Sequence, residues 1–229
     1  SHGLAKRGEA DARVIEMLAL VGLPDPERQF AAWPHELSGG MRQRAMIASA
    51  LIAEPDLLIA DEPTTALDVT VQVQITHLMS ELRKKSNTAI ILITHDLGVV
   101  AGMCDRVMVM YAGEAVECGS VEQIYYDPRH PYTRMLVGSI PWPDPDRAWG
   151  DMEHVFPKGA AFDEHAPGCK FAPRCPFAFE PCGTERPHLY KVEETRVAAC
   201  YLYQGGETLA GDNLGELFPK KAAEAIPVG

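Results

Sequence analysis

The chain has 229 residues, 46% of them hydrophobic, which is enough for one ordinary globular core and a smaller additional segment. Its 21 Lys and Arg against 32 Asp and Glu give a formal charge of -11, which repels a phosphodiester backbone and argues against a nucleic acid partner. The longest apolar runs are far shorter than the roughly 20 residues of a spanning helix, so we expect any membrane link to pass through a partner protein.

Two helices are predicted before residue 55. Apolar residues at helical spacing over 14–21 predict the first, and Gly22 is a typical glycine stop. Ser38 is a good N-cap for a second helix over 41–53, which Pro55 ends. This second helix starts at a glycine pair.

A strand, a helix and a second strand are predicted next. The runs 57–60 and 89–93 are apolar on both faces, which is typical of strands buried in a parallel sheet between helices. Apolar spacing over 71–82 predicts the helix that connects them, with the usual right-handed crossover. The pattern predicts an α/β fold.

A β-hairpin is predicted after this unit, with strands at 107–111 and 115–118 on either side of Ala112-Gly113. Ser120 and Gln123 then have the spacing of a capping box at the start of a short helix.

The composition changes at about residue 141, where prolines become frequent and apolar periodicity disappears. We predict one domain over 1–140, a Pro-rich linker over 141–168, a four-cysteine appendage over 169–204 and a weakly patterned tail over 205–229. The appendage contains too few apolar residues for a core of its own, so we expect it to be small and irregular.

Acidic residues and a histidine directly follow the two apolar strands. Asp61 and Glu62 come after the first strand and His95 after the second, and open parallel sheets bind ligands at that edge. One carboxylate can hold hydrated Mg²⁺ while the other polarises a water, and the imidazole can donate to a terminal phosphate. The alternatives are a strand end in solvent and a structural histidine. Asp68, further along, has the alternative role of a helix N-cap.

The segment Ser38-Gly39-Gly40 contains the elements of a phosphate site. It combines a hydroxyl, two glycines that allow close backbone approach, and the positive end of a helix. The alternative is a serine-capped helix with no ligand.

Four segments, in this order, resemble the motifs of ATP-binding-cassette (ABC) ATPases. Residues 37–43 resemble the signature motif, 57–63 the Walker B motif, 66–68 the D-loop, and His95 the switch histidine. The resemblance implies the helical subdomain and part of the parallel-sheet P-loop NTPase core. It also implies a head-to-tail dimer with a second ABC ATPase subunit, in which ATP lies between one phosphate loop and the other subunit's signature motif.

The resemblance implies a role for each matching residue. Ser38, Gly39 and Gly40, with Gln43 of the same motif, would contact ATP in the partner's site. Asp61 would hold the Mg²⁺ of MgATP, Glu62 would be the general base, His95 the phosphate sensor, and Asp68 the D-loop carboxylate near the nucleotide.

The printed residues do not contain the P-loop pattern G-x-x-x-x-G-K-[ST], whose backbone and lysine hold the β and γ phosphates. We therefore expect these 229 residues alone neither to bind ATP tightly nor to hydrolyse it, and the complete subunit to be the ATPase.

Residues 57–113 and Asp127–Thr133 resemble the ATPase subunits of bacterial dipeptide and oligopeptide importers. This implies ATP-driven peptide uptake at the cytoplasmic face of the membrane, with two permease subunits and an extracytoplasmic peptide-binding protein. A nickel importer ATPase, a non-transport ABC ATPase and a cluster-bearing regulatory module are the alternatives.

Four cysteines are spaced C-x5-C-x6-C-x17-C; they are Cys169, Cys175, Cys182 and Cys200. In the reducing cytoplasm that ATP chemistry implies, metal binding is favoured over disulfides. Four thiolates suit zinc or a [4Fe-4S] cluster, and the wide spacing, with similar segments in peptide-importer ATPases, favours the cluster. Metal would help to fold the appendage.

Overall fold

A computed structural model describes residues 7–65, 67–86, 88–140, 165–209, 214 and 217. The chain divides into two compact units, Ser1–Met103 and Cys104–Gly229. Most of the predicted linker, 141–168, and much of the predicted tail, 205–229, lie outside the described residues, so the predicted domain boundaries stay a prediction. Among the described helices, none combines the length and apolarity that a bilayer crossing demands.

The first unit alternates helices with two strands. In chain order its elements are α1 (Arg7–Leu20), α2 (Pro26–Ala31), a 3₁₀ turn (Pro34–Glu36), α3 (Gly39–Leu51), β1 (Leu57–Asp61), α4 (Val69–Ser86), β2 (Ala89–Ile93) and α5 (Leu97–Met103). The predicted glycine stop is confirmed, because Gly22 has a φ of +75. The predicted N-cap is also confirmed, since the Ser38 side chain accepts a hydrogen bond from the N–H of Met41.

The two strands of the first unit form a parallel sheet, as the sequence predicted. Their register runs from Leu57 opposite Ala89 to Asp61 opposite Ile93, and α4 connects them. One face of this sheet packs against α3 and α4 in a single apolar core, whose most buried members are Val21, Ile75 and Met79. This packing fixes the carboxyl ends of the two strands, at Asp61 and Ile93.

The opposite face of the same sheet is exposed in the described residues. Four large apolar side chains on it are 47–61% exposed: Leu57, Ile59, Ile91 and Ile93. The prediction that both faces are buried is therefore wrong for the described residues. A run that is apolar on both faces indicates that both faces of the strand suit an apolar contact. In the described residues, helices cover only one of the two faces.

The second unit is built on an antiparallel sheet. In chain order its elements are β3 (Arg106–Tyr111), β4 (Glu114–Ser120), α6 (Val121–Tyr126), α7 (Pro131–Gly138), a 3₁₀ turn (Ala172–Arg174), α8 (Glu180–Thr184), β5 (Leu189–Glu193), β6 (Arg196–Ala198), a 3₁₀ turn (Tyr201–Tyr203) and β7 (Thr208–Leu209). The sheet order is β3-β4-β6-β5-β7. The predicted hairpin is confirmed, and both Ala112 and Gly113 have positive φ, as a tight two-residue turn requires.

The four-cysteine segment is more regular than predicted. Its strand β6 pairs with the hairpin strand β4, with Glu117 opposite Ala198 and Cys118 opposite Val197. Val197 is fully buried and packs with Cys118. The segment thus extends the sheet of the hairpin, and, against the expectation from its sequence, it also has a small core of its own around Cys182, Tyr190 and Tyr201.

Two buried charged residues anchor this extension. Glu117 of β4 accepts hydrogen bonds from the backbone N–H groups of Arg129 at 2.9 Å and His130 at 2.8 Å. Arg196 of β6 is 1% exposed, donates to the carbonyl oxygens of Gln123 and Asp127, and pairs with the Asp127 carboxylate. The segment Asp127–Thr133, which the sequence analysis compared with peptide-importer ATPases, therefore holds the four-cysteine segment against β4.

Candidate functional site

The structure places the predicted acidic residue and histidine together at the carboxyl end of β1 and β2. The N–H of Glu62 donates to the Ile93 carbonyl at 2.8 Å, which ties the two strand ends. Glu62 Oε1 then lies 3.2 Å from His95 Nδ1. An ionised carboxylate can only accept, so Nδ1 carries the hydrogen in this contact when Glu62 is ionised. Asp61 is exposed one residue before, on the last position of β1.

Glu62 is held by its own turn. Its backbone is left-handed, with φ at +45, a conformation that side-chain-bearing residues seldom adopt. The Thr65 hydroxyl donates to Glu62 Oε2 at 2.8 Å. The hydrogen bonds from Thr65 and then from His95 lower the pKa of Glu62, and its carboxylate stays in contact with solvent. Sequence reasoning missed Thr65, although a hydroxyl three residues after a turn carboxylate was a usable signal.

Two neighbouring aspartates cap helices. Asp68 Oδ1 accepts a hydrogen bond from the N–H of Val71 at 2.9 Å. Asp68 therefore caps the start of α4 in the structure, which is the alternative role that its sequence indicated. A nucleotide role for Asp68 stays a prediction, and Ala66 of the predicted D-loop lies outside the described residues. Asp96 caps α5 through the N–H of Gly98 at 2.8 Å. These caps fix the start of each helix next to the Glu62 turn.

The helix start at Ser38 is exposed and fixed in place. The Ser38 hydroxyl accepts from the N–H of Met41 at 3.3 Å, which leaves its own hydrogen available to a ligand. A Cβ added at Gly40 would lie 2.8 Å from Val71 Cγ1, so this glycine lets α3 approach α4 closely. Gly39 is exposed. Among the described residues, no hydrogen bond joins this helix start to the Glu62–His95 pair.

Gln43, the last residue predicted in this motif, lies one turn after Gly39 on α3 and is half-buried. Positions four apart share a helix face, so Gly39 and Gln43 lie on one side of α3. Their proposed contact with nucleotide stays a prediction.

The structure brings the four predicted metal ligands around one cavity. Cys169, Cys175, Cys182 and Cys200 line it together with apolar and aromatic side chains that include Phe171. The N–H of Cys169 donates to the Cys182 carbonyl at 2.8 Å. Burial raises the pKa of the Cys169 and Cys175 thiols, and raises that of Cys200 to about 12. Cys169, Cys175 and Cys200 are therefore neutral thiols at pH 7 when no metal ion is bound.

The four cysteines have the donor atoms that the predicted cluster needs, but they do not have the spacing of its ligands. A set of four sulfur donors suits thiophilic metals and iron-sulfur clusters. Among the described residues, however, no three His, Cys, Asp or Glu side chains have the close spacing of a formed metal site. The cysteines share a cavity without forming a closed coordination shell, so the metal stays a prediction.

The chain is similar in sequence to known ABC transporter proteins. Residues 2–65 match the family described as ABC transporter, and residues 116–182 match the family described as oligopeptide/dipeptide transporter, C-terminal region. The chain is 50% identical over 206 residues to the probable peptide ABC transporter ATP-binding protein y4tR of Sinorhizobium fredii, covering 87% of this chain and 59% of the relative. It is 52% identical over 196 residues to the oligopeptide transport ATP-binding protein OppD of Haemophilus influenzae, covering 84% and 59%.

The chain thus spans about three fifths of the length of these relatives. A solved structure, cbiO1 from Clostridium perfringens, described as part of the ABC transporter complex cbiONQ, is 32% identical with a TM-score of 0.49. That match covers 55% of this chain and 49% of cbiO1.

Proposed function

We propose, from this chain's similarity to ATP-binding proteins of peptide ABC transporters, that it belongs to the ABC transporter ATPases and forms part of the nucleotide-binding subunit of a peptide importer. The complete subunit would couple ATP hydrolysis to uptake of oligopeptides or dipeptides. The observation that carries the proposal is the Glu62–His95 contact at the carboxyl end of two parallel strands, directly after Asp61. Parallel sheets bind nucleotides at this edge.

Each residue of this edge has a chemical task in the proposal. Asp61 offers hard oxygen ligands for Mg²⁺, which when bound neutralises charge on the β and γ phosphates. Glu62 accepts a proton from the attacking water, and Thr65 fixes the direction of its carboxylate. His95 orients the same carboxylate and contacts the terminal phosphate.

The helix start at Ser38 would complete the site of a second subunit. Ser38 and Gly39 are exposed, and the first N–H groups of α3 with the positive end of its dipole suit an anion. This supports a head-to-tail dimer with a second ABC ATPase subunit. We further propose peripheral attachment at the cytoplasmic face through two permease subunits, supplied with peptide by an extracytoplasmic binding protein.

The proposal is tested by ATP hydrolysis and peptide uptake in the complete transporter. Glu62→Gln should lower ATP turnover by about 100-fold or more, because it removes the general base, while ATP binding persists. Glu81→Gln is the matched control, since Glu81 lies on α4 in an exposed ion pair with Lys84. Full ATP turnover by Glu62→Gln would contradict the assignment of Glu62 as general base, and uptake of nickel rather than peptide would contradict the proposed cargo.

We expect the 229-residue chain alone to show no Mg²⁺-dependent ATP turnover.

We propose that the four cysteines hold a [4Fe-4S] cluster, with zinc as the second choice. The support is a set of four thiols around one cavity whose lining also includes aromatic side chains. Metal binding would link the four parts of the chain that carry the cysteines and would contribute to the stability of the second unit.

Anaerobic purification with iron and sulfide analysis and a visible spectrum tests this. Cys200→Ser should lower the iron content, whereas Cys104→Ser, outside the cavity, should not. A colourless protein with stoichiometric zinc would contradict the cluster.

A further inference from the structure

Gln72 of α4 forms a side-chain hydrogen bond with the residue that follows His95. Its amide Nε2 donates to Asp96 Oδ2 at 2.5 Å, and the two partners are 24 positions apart in the sequence. Both residues are half-buried. The proposed chemistry at Glu62 and His95 uses neither of these side chains directly, so their contact needs another explanation.

The Asp96 carboxylate is held through both of its oxygen atoms. Oδ1 accepts from the N–H of Gly98 at 2.8 Å and from the N–H of Val99 at 3.2 Å, and Oδ2 accepts from Gln72. Burial raises the pKa of Asp96, but the hydrogen bonds from Gln72, Val99 and Gly98 outweigh it and lower the pKa overall. The ionised carboxylate is therefore fixed between α4 and the first turn of α5.

The His95 side chain depends on its backbone for its direction. It is 79% exposed, and its Nδ1 lies 3.2 Å from Glu62 Oε1. A side chain that is mostly in solvent has little packing around it to fix its rotamer. The peptide group that joins His95 to Asp96 is held, because its N–H donates to Thr94 Oγ1 at 3.0 Å. Groups that fix Asp96 therefore also fix the backbone from which the His95 ring extends.

The start of α4 is a firm support for Gln72. Asp68 caps it through the N–H of Val71, and Ile75, one turn further on, is fully buried in the apolar core. Val71 itself packs against α3, where a Cβ added at Gly40 would lie 2.8 Å from its Cγ1. The position of Gln72 is thus set by the packing of the first unit.

We propose that Gln72 is a positioning residue for His95: its amide holds Asp96 against α4, and the Asp96 backbone then directs the His95 ring toward Glu62. The inference rests on the proposed function, in which His95 orients the Glu62 carboxylate. A misplacement of about 1 Å near a reacting centre can cost about 100-fold in rate, so loss of this support should be visible in catalysis.

Two glutamines on α4 provide a matched pair of variants. Gln72→Met removes the donor and keeps the length and the helix preference of the side chain. Gln74→Met is the control, because the Gln74 side chain accepts from Arg44 Nη2 at 3.2 Å, on α3, and is not bonded to Asp96. Both variants lose one side-chain hydrogen bond of the same helix, so a general weakening of α4 would affect both.

A charge exchange provides the rescue. Gln72→Glu places a second carboxylate against Asp96 and should repel it. Adding Asp96→Asn to Gln72→Glu restores a hydrogen bond with donor and acceptor exchanged, and the amide oxygen at position 96 can still accept from the N–H groups that begin α5.

The first measurement is ATP turnover in the complete transporter. Gln72→Met should lower kcat roughly 10- to 100-fold with little change in the KM for ATP, and Gln74→Met should stay near the parent. Gln72→Glu should also lose turnover, and the Gln72→Glu/Asp96→Asn variant should regain part of it. Parent-level kcat in Gln72→Met, or no regain in the double variant, would overturn the role of Gln72. If Glu62→Gln also keeps full turnover, the proposed function itself is wrong.

The second measurement needs no nucleotide and uses ¹⁵N NMR of the His95 ring in the 229-residue chain, assigned with His95→Asn. Contact with the ionised Glu62 carboxylate keeps the hydrogen of the neutral ring on Nδ1. Gln72→Met should therefore shift the ring toward the Nε2–H tautomer, whereas Gln74→Met should not. Equal tautomer populations in Gln72→Met and the parent would contradict the proposal whatever the outcome for turnover.

Discussion

Glu62 pairs with His95 from an unfavourable backbone conformation. A left-handed φ costs a residue with a side chain roughly 1–3 kcal/mol, and such conformations concentrate at functional sites. Three bonds keep Glu62 there: its N–H to the Ile93 carbonyl, and its carboxylate to Thr65 and His95. The carboxylate direction is therefore set before any ligand arrives.

Thr65→Val should raise the pKa of Glu62 toward the ordinary glutamate value. The Thr65 hydrogen bond is the largest of the effects that lower it, and valine keeps the shape of threonine without the donor. A carboxyl NMR titration measures the change. Thr70→Val, at an exposed position on α4, is the control and should leave the Glu62 pKa unchanged. Equal titration midpoints for Thr65→Val and the parent would show that the hydroxyl does not orient Glu62.

Gly40→Ala should destabilise the first unit by about 1–3 kcal/mol, because its Cβ would lie 2.8 Å from Val71 Cγ1, on a stiff β-branched side chain. Gly39→Ala meets only Leu67 Cδ2 at 3.8 Å, an ordinary contact, and should be tolerated. Urea unfolding of both variants measures the difference. Adding Val71→Ala to Gly40→Ala should recover part of the loss, and a strictly additive double variant would argue against the clash.

For a single residue, the sequence predicts its place in the fold better than it predicts the side chains that the residue contacts. Glu62 and His95 could be placed together because each lies within two residues of the end of a strand of the same parallel pair, and strand ends meet at one edge. The contact of Gly40 with Val71 could not be predicted, because it depends on how closely α3 and α4 approach.

Strand β6 is anchored by a residue whose importance its local sequence does not indicate. Arg196 is 1% exposed and bonds two carbonyl oxygens from α6 and the loop after it. A charged residue in a three-residue strand usually indicates an exposed edge. Here the buried guanidinium ties β6 to α6 and to the loop that follows it.

Arg196→Met should destabilise the second unit by about 1–3 kcal/mol, because it leaves the carbonyl oxygens of Gln123 and Asp127 without the donor that the buried guanidinium supplies. Hydrogen exchange of the β4 and β6 amides measures this locally, which suits a chain with two units. Arg186→Met is the matched control. Arg186 is 61% exposed in its ion pair with Glu114, so its loss should cost at most about 1 kcal/mol. Similar exchange rates in the two variants would contradict the anchoring role.

The elements that were predicted well have strong local patterns. Helix α4 and strands β1 and β2 follow apolar periodicity, and the hairpin turn and the Ser120 cap follow turn and cap chemistry. Strands β5 and β6 were missed because they are short, and because β6 pairs with β4, which lies about 80 residues earlier, while β5 pairs with β6.

Across the whole molecule, the largest departure from expectation is the exposed face of the β1-β2 sheet. Leu57, Ile59, Ile91 and Ile93 are adjacent there, and contiguous exposed apolar surface usually serves as a contact. The sequence predicted burial of both faces because the pattern of apolar residues shows that both faces are apolar. The pattern does not show which other part of a protein covers each face.

The chain should therefore bind the hydrophobic dye ANS in its folded state. The double variant Ile59→Thr/Ile91→Thr should lower the dye fluorescence by roughly half, because threonine keeps the strand preference and removes apolar area. Val69→Thr/Val73→Thr, at exposed positions on α4, is the control and should have a smaller effect. Equal dye binding by the parent and the sheet variant would place the apolar surface elsewhere.

The pairing of β4 with β6 also sets an order of events during synthesis. Glu117 and Ala198 lie about 80 residues apart, so at about 5–20 residues per second the ribosome makes β6 roughly 4–16 s after β4. Through that interval one edge of the nascent hairpin has no strand to pair with, and the Glu117 carboxylate has no Arg196 nearby. Rapid capture of this open edge by a chaperone, or slow codons placed after the cysteine segment rather than before it, would favour correct folding.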